Sequence, residues 1–162
     1  MKSNRCLQSV AALLLGGTMA CANAQLAAPY VGAAIGDTDL GTGVRAFGGA
    51  SITSVFGWEA QLTNFGSHTL TNSCKQSAWA LGGAGTAKAP LSPVISVYGK
   101  AGAHYVRSRL SNCAIASGSD IELGVGAGLL WQFSPKAALR VEFESIGGTG
   151  GDFISLGVQF PL

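Results

Sequence analysis

Residues 138–145 read ALRVEFES, and from Leu139 to Glu144 the two kinds of side chain never break step. Leu139, Val141 and Phe143 fall on one parity, Arg140, Glu142 and Glu144 on the other. Such period-two alternation predicts a β-strand with two unlike faces. It leaves open which face turns inward. In water the apolar face makes the core. In a membrane barrel the apolar face meets lipid and the charges fill the interior.

The N-terminus narrows the choice. Lys2 and Arg5 precede the apolar run VAALLLGG, which is followed by TMACANA and Gln25. A basic start, a short apolar centre and the Ala22-Asn23-Ala24 site form the pattern of a secretory signal peptide over residues 1–24. The run is shorter than the ~20 residues of a membrane-spanning helix. Residues 25–162 are then expected to form one domain, balanced at eight Lys and Arg against eight Asp and Glu. No basic excess remains to suggest a nucleic-acid partner.

Cys6 and Cys21 belong to the leader, which leaves Cys74 and Cys113 in the polar stretches TNSCKQS and LSNCAIASGSD. An even pair in an exported chain points to a disulfide. No histidine stands at metal-ligand spacing from them.

Only 11% of residues are charged, 48% are hydrophobic, and 24 glycines are scattered along the chain. A water-facing surface usually carries ~25–35% charged residues. No run beyond the leader reaches the length of a spanning helix, so a closed β-barrel is the membrane architecture that remains.

Alternation and turn signals predict eight strands near 29–36, 43–53, 56–66, 76–88, 93–107, 120–133, 136–146 and 151–160. The connections after strands two, four and six are compact, whereas those after strands three and five are long, polar and hold the cysteines. This is the asymmetry of an antiparallel, up-and-down transmembrane barrel, with short periplasmic turns and longer outer loops. The polar parity carries Arg45, Glu59, Gln61, Lys100, His104, Glu122, Gln132, Arg140, Glu142 and Glu144. A basic residue facing lipid at mid-depth costs ~2–4 kcal/mol, so these residues are expected to face the lumen.

The segments YVGAAIG, FGWEAQLTNFG, VISVYGKAGAHYV, GVGAGLLWQFSPKAALRVEFESIG and DFISLGVQF together resemble the OmpA/OmpX-like family of small outer-membrane barrels. The resemblance implies an eight-stranded barrel in the Gram-negative outer membrane, in contact with its lipid and lipopolysaccharide. It also implies insertion by the outer-membrane assembly machinery and a lumen plugged by an ionic network. Carried over by position, that network would be Arg45, Glu59, Lys100, Glu122, Arg140, Glu142 and Glu144. The family's assembly signal ends on an aromatic residue, and in the ending QFPL that part falls to Phe160.

Catalysis finds little support. GGAG and GVGAG open no helix and lack a following Gly-Lys-Ser/Thr, so they do not read as phosphate loops. A lipid A-modifying enzyme would need a histidine beside a serine nucleophile and an orienting carboxylate. The candidates are His68 and His104, and the H-x-S-N run of barrel deacylases is missing. Arg107 and Arg109 stand near the outer rim, where they would meet lipopolysaccharide phosphates or pair with Asp120. The expectation is a structural or surface-interaction barrel without catalysis, cofactor or metal, its surface partner unknown. The alternative is a deacylase or acyltransferase acting on lipid A.

Overall fold

The computed structural model describes residues 27–69, 74–111, 118–148 and 151–162. The signal peptide expected over residues 1–24 and Cys113 lie outside them. The strands are β1 (Ala27–Thr38), β2 (Gly41–Ser51), β3 (Phe56–Thr69), β4 (Lys75–Pro90), β5 (Ile95–Ser111), β6 (Gly118–Ser134), β7 (Ala137–Ile146) and β8 (Gly151–Pro161). Each pairs antiparallel with its successor, and β8 returns to β1, so the sheet closes as an eight-stranded barrel. Closure leaves no edge strand and satisfies the backbone within the sheet. Among the described residues no helix is long and apolar enough to cross a membrane.

The opening stretch settles the orientation of the wall. On β7, Val141 and Phe143 are 47% and 46% exposed, whereas Arg140, Glu142 and Glu144 are 4%, 2% and 1% exposed. The same inversion runs around the barrel. Ile35, Val44, Leu62, Leu81, Leu123, Val125, Ile154 and Leu156 all point outward and are exposed. A continuous apolar band of this kind is foreign to a water-soluble monomer.

Strands β4 to β6 run 16, 17 and 17 residues, longer than expected from the alternation. A tilted strand crosses a bilayer with ~9–11 residues. The excess of β5 lies at the end that holds the connections after β1, β3, β5 and β7, here called the loop end, whereas β4 and β6 extend at both ends. There the pairs Gln76–Leu110 and Lys75–Ser111 continue the ladder into stretches whose polarity had suggested loop. The connections after β3 and β5 are accordingly shorter than expected. Pro93, expected to open the fifth strand, sits in the turn before Ile95, where its missing N–H costs no ladder bond.

A bulge between Asn64 and Ser67 bends β3 toward the loop end. Gly66 adopts φ 83° there, and its N–H donates to the Asn64 side-chain oxygen at 2.8 Å. That left-handed backbone suits glycine, which has no Cβ to clash.

Candidate functional site

The interior parity of β2, β3, β5 and β7 projects six charged side chains into one layer of the lumen. They are Arg45 on β2, Glu59 on β3, Lys100 on β5, and Arg140, Glu142 and Glu144 on β7. Arg140 crosses the barrel to Glu59, with Nη1 donating to Oε2 at 2.5 Å and Nη2 to Oε1 at 2.9 Å. It also pairs with Glu142 on its own strand. Arg45 bridges Glu142 and Glu144, and its Nε donates to Thr63 Oγ1 at 3.0 Å. Lys100 Nζ stands 2.7 Å from Glu142, 3.0 Å from Glu144 and 3.4 Å from Glu59. Three cations meet three carboxylates, so the layer is formally neutral.

Neutral side chains complete the hydrogen bonding. Gln61 Nε2 donates to Glu144 at 2.9 Å, and its Oε1 accepts from Lys100 at 2.5 Å. The Tyr30 hydroxyl donates to Glu59 at 3.0 Å, and the Tyr98 hydroxyl donates to Glu142. The Arg140 guanidinium carbon lies 4.3 Å from the Phe47 ring centre and 4.5 Å from that of Tyr98. The Arg45 guanidinium carbon lies 4.4 Å from the Phe153 ring centre. A desolvated ion gains stability only when partners of this number and geometry surround it. Arginine's flat, forked head meets that demand through bidentate bonds and ring stacking.

Glu122, expected in the same group, sits on β6 as the register partner of His104. Its carboxylate lies against Gly148 in the β7–β8 connection, one level nearer the loop end. Alternation set its face correctly but carried no information about its height. Tyr30 and Tyr98 carry no formal charge, so an alternation of charged and apolar residues gives them no place in the network. Their shared parity with Gly32 and with Lys100 was the available signal.

Above the ionic layer, toward the loop end, Phe65, Ala78, Ala80, Val106, Ile146 and Phe153 form a buried apolar cluster. His104 lies between the two layers, wedged beside Gly82 and Gly124, whose added Cβ atoms would stand 2.0 Å and 2.7 Å from its ring nitrogens. Among the described residues neither nitrogen has a hydrogen-bond partner, and Nε2 is 3.6 Å from Glu144 Oε1. His68 is exposed on β3 opposite Gln76, and the structure does not bring it to His104. Below the ionic layer, at the turn end, a cavity of about 320 Å³ is lined by Tyr30, Glu59, Lys88, Tyr98, Gln132 and Arg140 among others. Gln132, placed on the lumen parity, is exposed at this mouth. Cys74 immediately precedes β4 at the loop end, and Phe160 faces outward at the turn end as the partner of Val31.

A closed barrel with an apolar exterior and a charged, hydrogen-bonded interior defines a transmembrane β-barrel. A family model for the outer membrane protein beta-barrel domain matches residues 9–159, and the chain belongs to that family. It is an integral outer-membrane protein. The solved structures agree on the fold. Neisserial surface protein A is similar at TM-score 0.63 and 18% identity, over 83% of this chain and 97% of that one. The N-terminal barrel of Pseudomonas aeruginosa OprF is similar at TM-score 0.63 and 13% identity, over 85% and 98%. Ail of Yersinia pestis, crystallised with the heparin analogue sucrose octasulfate, reaches TM-score 0.54 and 15% identity, over 83% and 97%. No curated protein sequence matches the chain.

Proposed function

We propose that this protein is a structural and surface-interaction barrel of the Gram-negative outer membrane that catalyses no reaction. The observation that carries the reading is the neutral layer of six buried charges, backed on one side by the apolar cluster. Two filled levels plug an eight-strand lumen, which is just wide enough for side chains. The loop end faces outside, because short turns belong to the periplasmic side in such barrels. Outer-membrane lipid and lipopolysaccharide are its surroundings, and Phe160 serves as the signal for the assembly machinery. Residues 1–24 serve as the export signal.

Cys74 and Cys113 form a disulfide across the loop end. The pairing of Lys75 with Ser111 supports this bond, because Cys113 follows Ser111 by two residues. Two residues span at most ~7 Å, within reach of a disulfide's Cα separation.

Expression in an outer-membrane host tests the reading. The protein is expected in the outer-membrane fraction, with a gel mobility that changes on heating. Planar bilayers should show no discrete conductance steps, and the host's lipid A should keep its mass profile. A new lipid A species that disappears with His68→Ala or His104→Ala would establish the enzyme instead. His104 argues against it: among the described residues no hydroxyl lies within hydrogen-bonding distance of either ring nitrogen.

A further inference from the structure

We infer that the outward face of β4 and β5 near the loop end binds the phosphates of a bis-phosphorylated glycolipid, the lipid A part of lipopolysaccharide. The inference rests on the reading that the loop end faces outside.

Three cations gather on this face. Arg107 and Arg109 lie two apart on β5 and are both exposed, while the intervening Ser108 is buried. Arg109 is directly opposite Ser77, and Arg107 is directly opposite Trp79. Lys75 pairs with Ser111, which makes it the diagonal neighbour of Arg109. Directly paired residues stand ~5 Å apart and diagonal ones ~7 Å. Three positive charges therefore share a patch about as wide as two phosphate groups.

The depth of the patch specifies a headgroup. On β5 the outward residues from Ile95 through Val97, Ala101 and Ala103 to Tyr105 are apolar, and their β6 partners Trp131 to Ile121 match them. That ten-residue rise, at ~3.3 Å per residue and a ~40° tilt, covers ~25 Å, the height of the apolar band of a membrane barrel. Trp79 and Tyr105 close the band with an edge-to-face contact at 5.9 Å. Aromatic pairs of this kind mark the lipid–headgroup boundary. Arg107 and Arg109 begin two residues beyond it, at the level of phosphates.

Charge is distributed unevenly around this rim. The outward carboxylates Asp37 and Asp152 stand on β1 and β8, across the barrel from β4 and β5. On the β6 side the outward neighbours are Ser119 and Ile121, and on the β3 side Ser67 pairs with Ser77 and Thr69 with Lys75. Asp120, expected as a partner for Arg107, is on the opposite parity as the partner of Val106, and its Oδ1 accepts from the Ile121 N–H. The loop-end extension of β4 and β5 thus holds an uncompensated cationic strip against the outer leaflet. Multidentate phosphate binding is the chemistry that such a strip performs.

The test compares the full mature protein with the triple variant Lys75→Gln/Arg107→Gln/Arg109→Gln in phosphatidylcholine vesicles. Each carries fluorescent bis-phosphoryl lipid A, its enzymatically dephosphorylated form, or phosphatidylglycerol. Heat-dependent gel mobility first establishes that both proteins are folded. The wild type is expected to bind bis-phosphoryl lipid A at least tenfold more tightly than either comparison lipid, with affinity falling as salt rises. The variant should lose that preference. Equal binding by the two proteins, or equal binding of all three lipids, overturns the site. Gly118→Cys, introduced where nothing crowds the backbone, reports orientation separately through an impermeant maleimide on intact cells. Labelling together with lost lipid A preference supports both readings. Labelling without that preference sinks the site alone, and absent labelling overturns the orientation and the glycolipid assignment with it.

Discussion

Arg140 holds Glu59 from the far side of the barrel, gripping it with both terminal guanidinium nitrogens at 2.5 and 2.9 Å. Their strands, β7 and β3, are four places apart in a ring of eight and share no ladder. The pair therefore spans the lumen. Because Arg140 also serves Glu142 and stacks against Phe47 and Tyr98, its loss takes a cationic partner from two buried carboxylates together and leaves the layer one positive charge short.

Arg140→Met should lower unfolding stability by about 3–5 kcal/mol, the usual consequence of removing one member of a buried ion-pair group. Urea titration of the refolded protein, read by heat-dependent mobility or tryptophan fluorescence, measures it. Adding Glu59→Gln should recover part of the loss, since the layer then returns to charge balance. A double variant no better than the single would contradict the coupling.

Gly128 leaves room for Tyr98. An added Cβ would lie 2.7 Å from the Tyr98 hydroxyl and 2.4 Å from the Val141 carbonyl oxygen. Gly128→Val is expected to push Tyr98 off Glu142 and cost about 1–3 kcal/mol by overpacking. Gly99→Ala is the control, because its nearest neighbour is 3.7 Å away. The same titration should leave it within about 0.5 kcal/mol of wild type.

Depth on the outer wall sets the cost of a charge. Val125→Arg, near the middle of the apolar band, should destabilise the folded barrel in phospholipid vesicles by about 2–4 kcal/mol. Ile121→Arg, at the level of Tyr105, should cost about 0–1 kcal/mol. Equal costs at the two positions would contradict the placement of the band.

The proposed Cys74–Cys113 bond has its own signature. Cys74→Ser should remove a difference in unheated gel mobility between oxidised and reduced samples. It should also lower stability by about 2–4 kcal/mol, the usual value for closing a loop of this size. A wild-type protein insensitive to reductant would refute the bond.

Most of the wall was legible in the residues alone. Alternation is local: a strand has period two whatever surrounds it, so ALRVEFES disclosed both faces of β7 before any partner was known. Scarcity of charge and the missing spanning helix then turned the apolar faces outward. Strand ends were harder to read. Lys75 and residues 108–111, outside the expected strands, continue the ladder because each finds a partner across β4 and β5.

By itself the sequence determined that the chain makes eight two-faced strands and that Arg45, Glu59, Lys100, Arg140, Glu142 and Glu144 share the inner face. Tertiary structure alone decided which of them meet. Closure and register fix height along the axis, and height brings Arg140 to Glu59 across the lumen while setting Glu122 one level away beside Gly148. It also placed Lys75 next to Arg109, which are 34 positions apart in the chain. Such meetings depend on hydrogen-bonded pairings between distant segments, and no local pattern encodes them.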